Sequence, residues 1–153
     1  MTEYKDDPGK HNHEDLQDHL GIGIIIKDVN GNILMQDHIK YGFWTIPVEK
    51  VKSDETLEEA LKIGAKEECN INVLEFKDID QKNYKYLRSG QKVNVDLHLI
   101  EIIKWNGEIK NNEPHKHKEQ KFMSINEIEK LPFLSDTTLQ FLETLGIKRN
   151  AKL

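Results

Sequence analysis

The sequence predicts an α/β fold, a mixed sheet between helices in an α/β/α sandwich. Three observations predict it. Apolar runs with strand character lie on both sides of one amphipathic segment, "SDETLEEALKIGAKEECN". That segment carries helix start and stop signals. Two further helix patterns close the chain, "INEIEKLP" and "SDTTLQFLETLGI".

The elements follow in order. Residues 1–20 hold few large apolar side chains and many charges, which predicts a flexible polar arm with a short helix near "HEDLQDHL". His11, His13 and His19 have no compact metal-ligand spacing and read as part of a solvated tail. A single domain is expected over 21–153. The β-branched run Ile22–Ile26 suits a buried strand. Asn30-Gly31 favours a tight hairpin turn, with "ILMQDHI" as the return strand. "GFWTIP" is a short strand ended by Pro47. Ser53 or Asp54 can cap the following helix, whose early acids suit its positive end. Asn70 can stop it in a left-handed conformation. "INVLEF" returns to strand. "DIDQKNYKYLRSGQK" is a loop or a hairpin turning at "RSGQ". In the next strand Val93, Val95, Leu97 and Leu99 alternate with Asn94, Asp96 and His98. "WNGEIKNNEPHKHKE" reads as a polar loop and "KFMS" as a last short strand. Ser135 caps the final helix and Gly146 stops it.

Length and composition narrow the function classes. With 153 residues, 37% apolar and 32% charged, the chain suits one domain with a real core. No apolar run approaches the ~20 residues of a membrane span. The acidic start is unlike a signal peptide. A lone Cys69 fits a reducing, cytoplasmic setting. The net charge is −5 and no basic stripe stands out, which speaks against duplex nucleic acid.

The central helix ends on two adjacent carboxylates, Glu67 and Glu68. Acids are mildly unfavourable at a helix C-terminus. On a helical wheel Glu68 falls about 20° from Leu57, inside the apolar stripe, and Glu67 about 80° away, at its margin. An isolated buried carboxylate is costly and tends to take up a proton. Either the last turn frays and Glu68 reaches water, or an Arg, backbone donors or a divalent cation compensates. Gly64 lies one turn earlier on the same face. A helical Gly costs up to ~1 kcal/mol against Ala, so a steric reason is expected, such as room for water or a ligand.

The stretch "GFWTIPVEKVKSDETLEEALKIGAKEECNINV" resembles the Nudix box of the Nudix hydrolase superfamily, G-x5-E-x7-R-E-U-x-E-E-x-G-U, where U is a bulky aliphatic residue. In this register the box runs from Glu49 to Ile71, with Glu55, Glu67, Glu68 and Ile71 on motif positions. "NEPHKHKEQKFMSINEIEKLP" is similar to the loop, strand and helix that follow in the family. The departures are Glu49 for the opening Gly, Ile63-Gly64 for the Arg-Glu pair, and Asn70 for the late Gly.

The resemblance implies a Nudix-type sandwich and hydrolysis of a pyrophosphate linkage, in a nucleoside diphosphate derivative or nucleoside triphosphate, with Mg²⁺ or Mn²⁺. It implies Glu68 as principal metal ligand and Glu67 as ligand or base. Glu113 would be an accessory ligand or base, and Glu55 would support the loop rather than touch metal. The partner implied is a nucleotide or nucleotide derivative; a homodimer stays open. The Ile63-Gly64 replacement keeps a second reading, a weakened or inactive nucleotide-binding module of the same fold. A protein-interaction domain draws only on the charged arm and the acidic balance.

Phe43, Trp44, Tyr84, Tyr86 and Trp105 can stack on a base or pack in the core. His98 points to the polar side of its strand. His115 and His117, with Lys116 and Lys118, make a loop that can meet phosphate or water. Nothing near Cys69 suggests an activated thiolate.

Overall fold

The structure is a computed structural model and describes residues 3–9 and 11–147. Residues 1–2 and 10 of the expected arm, and 148–153 of the expected domain, lie outside the described residues.

Among the described residues eight strands form two sheets. The larger has the order β1-β6-β7-β2-β5. Its strands are β1 (Lys5–Asp6), β2 (His19–Ile25), β5 (Val48–Val51), β6 (Asn72–Arg88) and β7 (Gln91–Asn106). It is mixed: β2 runs parallel to β7 and β1 parallel to β6, while β2/β5 and β6/β7 are antiparallel. The smaller sheet has the order β4-β3-β8, with β3 (Ile33–His38), β4 (Phe43–Thr45) and β8 (His117–Met123). The helices are α1 (Leu57–Cys69), α2 (Ile125–Glu129) and α3 (Asp136–Thr144).

The strand run at Ile22–Ile26 is buried on both faces, so it reads as a continuous apolar run. Ile22, Ile24 and Ile26 join one core cluster with Leu61, Ala65 and Cys69 of α1. Ile25 joins a second with Phe141 and Leu142 of α3 and Ile128 of α2. Gly23 permits the close approach of α3. A Cβ there would lie 2.5 Å from Thr137 Cγ2 and 2.7 Å from Leu99 Cδ2. Gly23→Ala is therefore expected to overpack the core and cost about 1–3 kcal/mol, read by urea denaturation; an unchanged midpoint would show that α3 yields freely.

Several expectations change in detail. The turn around Asn30-Gly31 forms, with Asp28 Oδ1 accepting from the backbone N–H groups of Asn30 and Asn32. Yet β2 and β3 enter different sheets, and only the bridge Lys27–Ile33 joins them. The segment 78–92 is the hairpin, not the loop: Ser89 and Gly90 both have positive φ, 51° and 76°, as its tight turn requires. Strand β8 begins at His117, inside the stretch read as loop. Helix α1 is capped by Thr56 in a reciprocal capping box with Glu59, rather than by Ser53 or Asp54. Asn70 ends it at φ 65° and ψ 30°.

Residues 11–20 lie against the larger sheet. Asp15 pairs with Lys50, the Asn94 N–H donates to Asp18, and β2 opens at His19. Asp7 pairs with Arg88 beside the short β1/β6 ladder. Among the described residues no helix is long and apolar enough to cross a membrane.

Candidate functional site

Helix α1 lays Leu61, Gly64, Ala65 and Glu68 on its buried face. Glu68 is 7% exposed. Its Oε2 atom is buried and has no hydrogen-bond partner. Among the described residues its one ion-pair contact is to His117, with Oε1 3.9 Å from Nε2, too long for a hydrogen bond. Burial first, then the nearby charges of Glu49 and Glu113, push the Glu68 carboxyl up to about 9. Burial likewise lowers His117. Both shifts favour the neutral forms, which disfavours an ion pair between them.

Strand β5, which sequence reading missed, brings a further acid to this face. Glu49 and Val51 share one side of β5, and Val51 is buried in the core cluster of α1. Burial, then the charge of Glu67, pushes the Glu49 carboxyl up to about 7. A Cβ built at Gly64 would lie 2.6 Å from Glu49 Oε2, 2.8 Å from its Cγ and 3.0 Å from its Cδ. The space expected beside Gly64 for water or ligand holds the Glu49 side chain instead. The signal was present in the sequence: two departures from one motif, at 49 and 64, both involving Gly or Glu.

Glu113 stands on the loop between β7 and β8. Its backbone carbonyl accepts from the N–H groups of Lys116 and His117, and its own N–H donates to Asn111 Oδ1. Asn112 fastens this loop to the end of α1, donating to Lys66 O and Asn70 Oδ1. The Lys110 N–H donates to Cys69 O. The last contact uses a carbonyl that the helix C-terminus leaves unmatched, and together they hold the loop beside the two acids. Lys116 Nζ is 3.3 Å from Glu113 Oε2. Burial opposes the lysine's charge, but Glu113, then Glu68 and Glu49, outweigh it and raise its pKa.

The other residues singled out fall as follows. Glu67 is exposed. Glu55 accepts a hydrogen bond from the Lys52 N–H at 3.0 Å, a contact within the loop. His115 is exposed, while His117 is buried with its ring edge against His38. Tyr84 and Tyr86 stack on each other and donate to residues of α3. His98 pairs with Asp78. Cys69 is buried, and burial pushes its thiol upward, so it is inert.

The chemistry of the donor set suits a hard divalent cation. Such ions take carboxylate oxygens, and Glu68 Oε2 is a buried oxygen without a partner. Among the described residues no three His, Cys, Asp or Glu side chains are already gathered as a metal centre.

Comparison with known proteins agrees with this architecture. No curated protein matches the chain by sequence. Similar solved structures include the MutT NUDIX hydrolase from Burkholderia pseudomallei, 23% identical, covering 84% of this chain and 98% of that one, with a TM-score of 0.67. A Caenorhabditis elegans Ap4A hydrolase, 18% identical, covers 84% and 95% with a TM-score of 0.60. The NUDIX domain of Shewanella oneidensis NrtR, solved with ADP ribose, is 12% identical and covers 84% and 86% with a TM-score of 0.64. At these identities the likeness establishes the fold. The NUDIX domain family model matches residues 17–145, most of the chain, and the chain therefore belongs to the NUDIX domain family.

Proposed function

We propose that the chain is a Mg²⁺- or Mn²⁺-dependent hydrolase of a pyrophosphate linkage, in a nucleoside diphosphate derivative or a nucleoside triphosphate. One observation carries this: Glu68 is held away from water at the end of α1 with an oxygen that nothing satisfies. An unmatched buried polar group costs about 1–3 kcal/mol, and more when charged. A cation arriving with the substrate turns that cost into binding. Family membership and the two neighbouring hydrolases support the same reading.

Glu68, Glu67 and Glu113 would hold the cation. When bound, it would neutralise phosphate oxygens and lower the pKa of the attacking water. The chain's own groups divide the remaining work. Glu67, exposed beside Glu68, would serve either as a ligand or as the general base for that water. Glu113 reaches the same face from a loop tied to the helix by Asn112. Lys116, beside Glu113, offers an ammonium to a phosphate oxygen. Glu55 steadies the loop before α1 through Lys52. The lone, buried Cys69 supports a reducing cytoplasmic setting.

A screen of nucleoside triphosphates and diphosphate derivatives with Mg²⁺ or Mn²⁺ is expected to yield a nucleoside monophosphate, with phosphate or pyrophosphate from suitable substrates. Folded protein that turns over nothing in a broad panel refutes the proposal. The replacement of a box Glu by Gly64 favours a second reading, a domain that binds nucleotide without cleaving it. Calorimetric nucleotide binding without product would establish that reading instead.

A further inference from the structure

We propose that Glu49 supplies the carboxylate that position 64 lacks: the acid is transposed from helix α1 to strand β5, and Glu49 joins Glu68 in holding the divalent cation. The inference deepens the hydrolase reading and rests on its metal dependence.

Three observations carry it. The Glu49 side chain lies where a side chain from position 64 would begin, with Oε2 2.6 Å from a Cβ built there. The register Ile22–Glu49 between β2 and β5 puts Glu49 on the side of β5 shared with Val51, which packs against α1. Independently, the Glu68 oxygen one turn from Gly64 is buried and unpartnered, which marks that face as built for a ligand. The two departures from the motif thus explain each other. A side chain at 64 would have to push the Glu49 side chain aside, and Gly64 leaves it in place.

Mn²⁺ binding to the intact protein without nucleotide, read by electron paramagnetic resonance of the free ion, tests it. Glu49→Gln is expected to weaken Mn²⁺ binding about tenfold or more, since even residues that only support ligands cost that much. Glu58→Gln, which removes an exposed acid from the same helix, serves as the charge control and is expected to change binding less than about twofold. Gly64→Glu alone is expected to displace the Glu49 side chain and shift its carboxyl resonance. The double variant Glu49→Gly, Gly64→Glu is expected to regain Mn²⁺ affinity. In the wild-type protein the Glu49 side-chain carboxyl resonance is expected to broaden on adding Mn²⁺, a measurement that needs no variant.

A wild type that binds Mn²⁺, together with an unbroadened Glu49 signal or a Glu49→Gln variant of unchanged affinity, overturns this assignment alone. A wild type that binds no Mn²⁺ overturns both it and the metal-dependent reading.

Discussion

Glu68→Gln is expected to cut metal-dependent hydrolysis at least about a hundredfold, the scale seen when one electrostatic partner is removed from a catalytic site. The same change is expected to stabilise the metal-free protein at pH 8. The reason is the position of Glu68, 7% exposed with a bare oxygen and a carboxyl pushed up to about 9. At pH 8 the folded chain must bind a proton there that the unfolded chain has released. Glutamine presents a polar group of the same size without that proton cost. The gain is on the order of a few kcal/mol, because each tenfold change in proton affinity is worth about 1.4 kcal/mol. Turnover assays and urea denaturation in EDTA read the two effects. A variant that keeps full activity places the chemistry elsewhere; one that is inactive and also less stable gives Glu68 a structural role.

The second large effect concerns pH. Both Glu68 and Glu49 have folded pKa values raised above the ordinary carboxylate value, to about 9 and about 7. For such groups the folded state binds more protons than the unfolded one, so stability falls as pH rises from the unfolded pKa to the folded one. His38 and His117 act in the opposite sense at the acid end, since burial lowers both. Above the ordinary histidine range they are neutral in either state and drop out. Between pH 7 and 9, then, the metal-free protein is expected to lose stability, chiefly through Glu68, by up to about 1.4 kcal/mol per pH unit. Saturating Mg²⁺ is expected to remove that slope, because a cation bound to the folded state favours the ionised acids. Thermal unfolding at pH 7, 8 and 9, with EDTA or Mg²⁺, measures it. A flat profile in EDTA would show that water reaches Glu68 freely.

Much of this architecture was legible in the residues. The β-branched run at Ile22–Ile26, the alternation from Val93 to Leu99 and the stop at Asn70 each have a local cause, and each appears where expected. The inward aim of Glu68 followed from 100° periodicity alone. What escaped was non-local. Strand β5 is four residues long with two charges, and its conformation comes from pairing with β2 rather than from propensity. Glu49 therefore read as a missing glycine rather than an arriving acid. The partition of β2 and β3 into separate sheets is also a tertiary choice, invisible to a turn signal such as Asn30-Gly31. The cap at Thr56 was missed because Ser53, Asp54 and Thr56 all carry capping oxygens, and only the reciprocal bond with Glu59 decides among them.

The crowding between Glu49 and position 64 has an evolutionary corollary. A chain bearing both side chains must move the Glu49 carboxylate from its place beside position 64, and one bearing neither loses a carboxylate from this face. Homologues should accordingly fall into two populations, Glu49 with Gly64 or glycine at the first with glutamate at the second, and mixed pairs should be scarce.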